Sequence, residues 1–177
     1  LFLLRIAPSN FTVNIDNYLN YYAERISEFD NEKAIGKKDI VFLGNSLTEN
    51  GGSWAQRLKN KRIRNRGIIG DNTEGVLARL KEITDGQPKQ ILLTIGINDL
   101  SQGLNLYTLI ENTEKIIQSI QQASPKTIIT IQSLLPINEK KCWYRLMKGK
   151  TNMIKEHNKA LETLASKHKL TFINSYP

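Results

Sequence analysis

Four short apolar runs, each closed by glycine, serine or asparagine, constrain this chain more than any other feature. Ile40 to Leu43 ends at Gly44; QILLTIG runs from Gln90 to Gly96, TIITIQS from Thr127 to Ser133, and KLTFINS from Lys169 to Ser175. A continuous apolar run of this length bounded by a turn residue reads as a strand buried on both faces, as parallel sheets require. The intervals are filled by helical patterns. Thr73 to Ile83 carries Val76, Leu77, Leu80 and Ile83, with Thr73 placed to cap it. Leu106 to Ile120 carries Leu109, Ile110, Thr113, Ile116, Ile117 and Ile120, and an opening stripe of Ile15, Tyr18, Tyr22, Ile26 and Phe29 marks an earlier amphipathic helix. Strands alternating with helices of this size predict an α/β fold with right-handed crossovers on a parallel sheet.

The 177 residues, 40% hydrophobic, fit a single globular domain spanning 1–177. No stretch approaches the roughly 20 apolar residues of a membrane span. One cysteine, Cys142, leaves no intramolecular disulfide, and two histidines, His157 and His168, are too few for a histidine- or cysteine-rich metal site. Chemistry must therefore come from Ser, Asn, Asp, Glu and backbone. The net charge of +8 gathers in KNKRIRNR, Lys59 to Arg66, and KKCWYRLMKGK, Lys140 to Lys150. The first alternates basic residues with Ile63 and Asn65 like a half-buried strand, and neither forms a nucleic-acid-binding module, so a solvated basic surface is expected. The opening LFLLRIAP is too short for a signal core with its cleavage site but matches a trimmed one. A soluble protein of the cytoplasm, the periplasm or the exterior is equally consistent with it. Asn10-Phe11-Thr12 fits the glycosylation pattern, which is frequent by chance.

In parallel sheets, ligands bind beyond the carboxyl ends of the strands. After the first strand, Gly44-Asn45-Ser46 forms a strand-to-helix turn that would hold a serine hydroxyl at the rim. The next loop, NRGIIGDNT from Asn65 to Thr73, brings the Gly70 N–H to the same edge. After QILLT, Gly96-Ile97-Asn98-Asp99 adds a side-chain amide. Singly, each of these reads as a cap or a turn. A serine nucleophile, a backbone N–H and an amide donor at successive strand ends together have the roles of an acyl-transfer site. The irregular stretch from Leu135 to Gly149 is long enough to border that face.

GNSLT, NRGIIGDNT and GIND resemble the first three blocks of the SGNH hydrolases, also called GDSL lipases or acylhydrolases. EGVLARLKEIT and IQSLLPIN resemble the bacterial branch, which is similar to platelet-activating-factor acetylhydrolase subunits and carbohydrate acetylesterases. The resemblance runs from about Tyr18 onward. It implies a three-layer α/β/α sandwich of flavodoxin-like type with sheet order 2-1-3-4-5. It also implies Ser46 as nucleophile, an oxyanion hole from the Ser46 and Gly70 N–H groups and the Asn98 side chain, and no metal or cofactor. Asn45 stands where the family carries aspartate, and it and Asp99 are expected to support the loops. The activity implied is hydrolysis of a short acyl ester, acetyl above all, on a carbohydrate or other small polar substrate. Lysophospholipase or thioesterase activity, or ester or carbohydrate binding without catalysis, are the alternatives. A flavodoxin-like nucleotide binder is disfavoured, because no glycine-rich phosphate loop follows the first strand.

The family's histidine lies in an Asp-x-x-His block after the last strand, and no such block occurs here. Ile154, His157, Leu161, Leu164 and His168 form one stripe, so both histidines are expected against the sheet. A crossover helix runs antiparallel to its strands, which places His168 at the amino edge, roughly 20 Å from Ser46 at ~3.3 Å per strand residue. His157 would have to leave the stripe to reach the serine. Since a serine without a base is a poor nucleophile, the expectation is a truncated chain whose continuation carries the Asp and His, rather than a degenerate binder.

Overall fold

The computed structural model describes residues 15–141 and 145–176. The opening LFLLRIAP, the Asn10 motif and Cys142 lie outside the described residues, as does part of the second basic cluster. The chain divides into two compact units, Leu1–Ala34 and Ile35–Pro177.

The first unit contributes α1 (Ile15–Asn31). Its Tyr18, Tyr22 and Ile26 are half-buried and Phe29 is buried, while the intervening positions Asp16, Asn17, Leu19 and Asn20 are exposed. The three-four spacing is thus realised as one stripe.

The second unit is a five-stranded parallel sheet in the order β2-β1-β3-β4-β5, flanked by helices on both sides. Its elements are β1 (Ile40–Gly44), α2 (Ser46–Glu49), α3 (Trp54–Arg57), β2 (Ile63–Gly67), α4 (Thr73–Asp85), β3 (Gln90–Thr94), α5 (Ile97–Ser101), α6 (Leu106–Ala123), β4 (Ile128–Gln132), α7 (Thr151–Lys167) and β5 (Thr171–Ile173). The flavodoxin-like α/β sandwich and strand order expected from the resemblance are those observed.

One sheet face is the main core. Val41, Leu43, Ile91, Leu93, Ile129 and Ile131 pack there with Val76, Leu80 and Ile83 of α4, Ile116, Ile117 and Ile120 of α6, and Leu161 and Leu164 of α7. The other face differs from the expectation of full burial: Phe42 and Leu92 stay half-buried. Within this unit, the described helices on that face are one-turn segments, and α3 reaches Phe42 through Trp54, with ring centroids 5.4 Å apart. The first basic cluster is the edge strand β2 with its approach, and carboxylates absorb much of its charge. Arg64 and Arg62 lie 3.6 and 3.9 Å from Asp39, and the fully buried Arg66 lies 3.0 Å from Glu82.

Register levels the strand ends. Gly44 is opposite Gly67 on one side and Thr94 on the other. The turns that follow β1, β2 and β3 therefore start from one line across the sheet. Asn65 binds two of them together. Its Nδ2 donates to the carbonyls of Thr48, Glu49 and Gly52 at 3.0, 3.2 and 3.0 Å, and its Oδ1 accepts from the Gly67 N–H at 2.9 Å. No aliphatic side chain replaces these bonds. Asn65→Ala is expected to lower the urea-unfolding free energy by about 2 kcal/mol, the cost of stranding part-buried polar groups.

Candidate functional site

Each expected site residue sits at the carboxyl edge. Asn45 is the N-cap of α2, fully buried, with Oδ1 accepting from the Leu47 N–H at 3.0 Å and Nδ2 lacking a partner. The cap needs only an acceptor, so asparagine serves where the resemblance has aspartate. Ser46, the first residue of α2, is half-exposed, and among the described residues neither its N–H nor its Oγ has a partner.

Gly70 lies in the turn Ile68–Asp71, closed by Asp71 N–H to Ile68 C=O at 3.1 Å, with φ +81° at Gly70. That is the third position of a type II turn, which selects glycine, and among the described residues its own N–H has no partner. The turn is fixed to the serine turn by Ile69 N–H donating to the Glu49 carboxylate at 2.5 Å.

Asn98, in α5, donates through Nδ2 to the Asp71 carbonyl at 2.7 Å. An amide has two N–H bonds, so this contact sets the plane of the side chain and leaves the second N–H directed elsewhere. Ser46, Asn98, Leu47, Ile97, Leu134, Leu135, Pro136, Ile137 and Met147 line one cleft of about 300 Å³. The structure therefore brings Ser46 and Asn98 to a common space. Gly70 adjoins it through the Asp71 carbonyl rather than lining it. A larger, open depression of about 520 Å³, lined by Ala55, Gln56, Lys59, Asn60, Lys61 and Arg62, lies by the amino end of β2, away from the strand-end turns.

Asp99 is buried and points away from that cleft. It accepts from the Thr73 N–H at 3.1 Å and from Thr73 Oγ1 at 2.5 Å, and Asn112 Nδ2 completes the chain at 3.2 Å from Thr73 Oγ1. These bonds tie the third loop to the start of α4. The cap of α4 differs from the expectation: it is Asn72, which accepts from the Gly75 N–H at 2.9 Å, and Thr73 is the first helical residue. Asparagine one residue earlier satisfies the helix end because Thr73's hydroxyl is already engaged by Asp99. Burial pushes the Asp99 carboxyl pKa up, against the lowering effect of the Thr73 bonds. It does the same for Asp71, against the neighbouring Arg79 guanidinium.

The stretch after β4 forms the cleft wall, as its length suggested. Asn158 of α7 pairs with the Leu134 backbone, accepting at 2.8 Å and donating at 2.9 Å. Glu139 caps the start of α7 by accepting from the N–H groups of Gly149 and Thr151 and from the Thr151 hydroxyl. Met147, Leu134, Ile97 and Ile137 rest on a second apolar cluster with Leu100, Leu109 and Ile154.

Neither histidine reaches the cleft. His168 ends α7 with Nε2 2.7 Å from Glu114 of α6. His157 is fully buried below Gly96, where a Cβ on the glycine would lie 2.9 Å from its Nε2. Neither ring nitrogen has a well-formed hydrogen bond, and desolvation pushes its pKa down to about 4, opposed only weakly by the Ile95 carbonyl.

Arg79, Asp71, Asn65 and Asn158, which hold the loops, were not singled out from the sequence. Arg79 did carry a signal: a charged residue among Val76, Leu80 and Ile83 on an apolar stripe.

Residues 42–177 match the model of the GDSL-like lipase/acylhydrolase family. Among solved structures, the chain is similar to a Streptococcus pneumonia protein provisionally described as a platelet activating factor. The two share 27% identity and a TM-score of 0.78, over 92% of this chain and 78% of that one. It is similar to a GDSL-like lipase from Bacteroides thetaiotaomicron at 23% identity and TM-score 0.72, over 89% and 77%. A catalytic mutant of an acetylxylan esterase from Geobacillus stearothermophilus aligns at 16% identity and TM-score 0.60, over 79% and 77%. Among curated proteins nothing matches.

The buried imidazole has a consequence for acid stability. Between pH 6.5 and about 4 the unfolded chain binds a proton that folded His157 refuses, so this residue removes stability as pH falls through that window. Asp71 and Asp99 act in the opposite sense, because their raised pKa values let the folded chain hold protons that the unfolded chain has lost. Comparing wild type with His157→Leu cancels the carboxylates. Urea titrations should show the variant gaining on the order of 2 kcal/mol relative to wild type between pH 7 and 4.5.

Proposed function

The chain belongs to the GDSL-like lipase/acylhydrolase family, a class of ester hydrolases, and from that premise we propose that it is a serine esterase with Ser46 as nucleophile. The observation that carries the reading is the shared cleft of Ser46 and Asn98 at the carboxyl ends of β1 and β3. Ser46 Oγ attacks the ester carbonyl. The developing oxyanion takes hydrogen bonds from the Ser46 N–H, the Gly70 N–H and the free N–H of Asn98, donors held in place before the reaction starts. Asn45 and Asp99 support the turns and do not touch substrate.

The reading takes its general base from an Asp-x-x-His block that is not among these 177 residues. His157, buried and neutral beneath Gly96, and His168, bound to Glu114, are both committed elsewhere. No metal or cofactor enters the scheme.

The favoured substrate is a short acyl ester, acetyl above all, of a carbohydrate or similar small polar alcohol. The acetylxylan esterase among the similar structures supports this choice. One observation favours a second reading. Seven apolar residues line the cleft beside Ser46, a surface suited to an acyl group longer than acetyl, as in a lysophospholipase or thioesterase.

In the protein expressed from its full reading frame, Ser46→Ala should reduce p-nitrophenyl acetate hydrolysis by at least about 10³-fold. Retained activity discards the assignment. Asn98→Ala should lower kcat by about 10²- to 10³-fold, as loss of one oxyanion donor does. A p-nitrophenyl ester series from acetate to decanoate separates the substrate readings: kcat/KM falling from acetate onward supports the short acyl group, and a maximum at six carbons or more supports the longer one.

A further inference from the structure

Arg79 lies on α4, in the row of residues that packs on the sheet, and its side chain is buried. Its Nε donates to Asp71 Oδ2 at 2.9 Å, and its Nη2 lies 2.8 Å from the same oxygen. Nη2 also donates to the Gly44 carbonyl at 3.2 Å and to the Arg66 carbonyl at 2.9 Å. One planar group thus touches the last residue of β1, the penultimate residue of β2, and the residue that follows Gly70.

Two of these three contacts, those to Gly44 and Asp71, lie beside the turns that carry the proposed oxyanion donors. Gly44 precedes Asn45-Ser46, so its carbonyl sets the level at which the serine turn leaves the sheet. Asp71 closes the turn that presents the Gly70 N–H. The backbone carbonyl of the same Asp71 takes the Asn98 amide at 2.7 Å. Displacing Asp71 therefore moves two donors, and releasing Gly44 moves the third.

We propose that Arg79, paired with Asp71, is the positioning residue that sets the spacing of the Ser46, Gly70 and Asn98 donors. The proposal rests on the serine-esterase reading above. Its physical basis is the fork of the guanidinium: three acceptors on three chain segments are met by one rigid plane, which the single point charge of lysine cannot reproduce. Neither Arg79 nor Asp71 touches substrate. A donor displaced by about 1 Å weakens its bond to the oxyanion much more than its contact with the ground-state ester, so the effect belongs in kcat.

The test uses the protein from its full reading frame, with p-nitrophenyl acetate as substrate and thermal unfolding by circular dichroism as the folding control. Arg79→Lys should lose about 10- to 100-fold in kcat with KM within threefold of wild type. Ile83→Val, a core change one turn further along the same helix, lowers stability without touching the network and should keep wild-type kcat. A kcat loss under fivefold in Arg79→Lys, a loss expressed mainly in KM, or an equal loss in Ile83→Val overturns the proposal. Should Arg79→Lys fail to fold, Asp71→Ala decides by the same criteria, since it removes the carboxylate that Nε and Nη2 contact while leaving the Gly44 and Arg66 carbonyls in place. Full activity in Ser46→Ala would instead sink the esterase reading, and this proposal with it.

Discussion

Everything at the candidate site depends on the parallel pairing of β1 between β2 and β3. Parallel strands advance at one rise per residue, so equal starting levels give equal ending levels. With Gly44 opposite both Gly67 and Thr94, three turns begin at one height above the core, and none has to span a gap to meet the others. A slip of one residue in either pairing would turn each side chain of that strand to the opposite face. The core of Val41, Leu43, Ile91 and Leu93 forbids that, so the hydrophobic pattern indirectly fixes the geometry of polar groups that contribute nothing to it.

Above this level the edge is held by polar contacts between the turns. Asn65 joins the first turn to β2, Glu49 joins it to the second turn, and Asp99 joins the third loop to α4. Burying such groups costs several kcal/mol each when unpaired and roughly breaks even when fully bonded. Their benefit is therefore definition rather than stability: each carbonyl or carboxylate accepts its donor in only a narrow range of positions. Asn45 Nδ2 and the His157 ring nitrogens stand outside this rule. Unpartnered buried nitrogens of this kind lower stability.

Much of the architecture could be read from the chain because periodicity reports what a side chain faces. The runs at Ile40, Gln90 and Thr127 are strands, and the stripes on α4, α6 and α7 are buried where expected. The placement of Ser46, Gly70 and Asn98 at one edge of the sheet was legible because three loops of matching residue type follow three strands in order. The contacts that hold them were not. Arg79 reaches acceptors 8, 13 and 35 residues away, and no local pattern encodes a partner at that separation. The misplaced α4 cap has the same origin: Thr73 and Asn72 are both good caps by type, and the choice was made by Asp99, 26 residues on.

The paired bonds between Asn158 and Leu134 resemble, in a single side chain, the two bonds by which a neighbouring strand would hold an extended backbone. Through them the cleft wall takes its register from a helix, whereas Ser46 and Asn98 take theirs from the sheet. The spacing of Ser46 and Asn98 and the width of the space before them are consequently set by different parts of the molecule. Sequence changes that reseat α7 can widen or narrow the cleft while Ser46 and Asn98 stay in alignment, so the shape of the space can vary without disturbing the strand ends beside it.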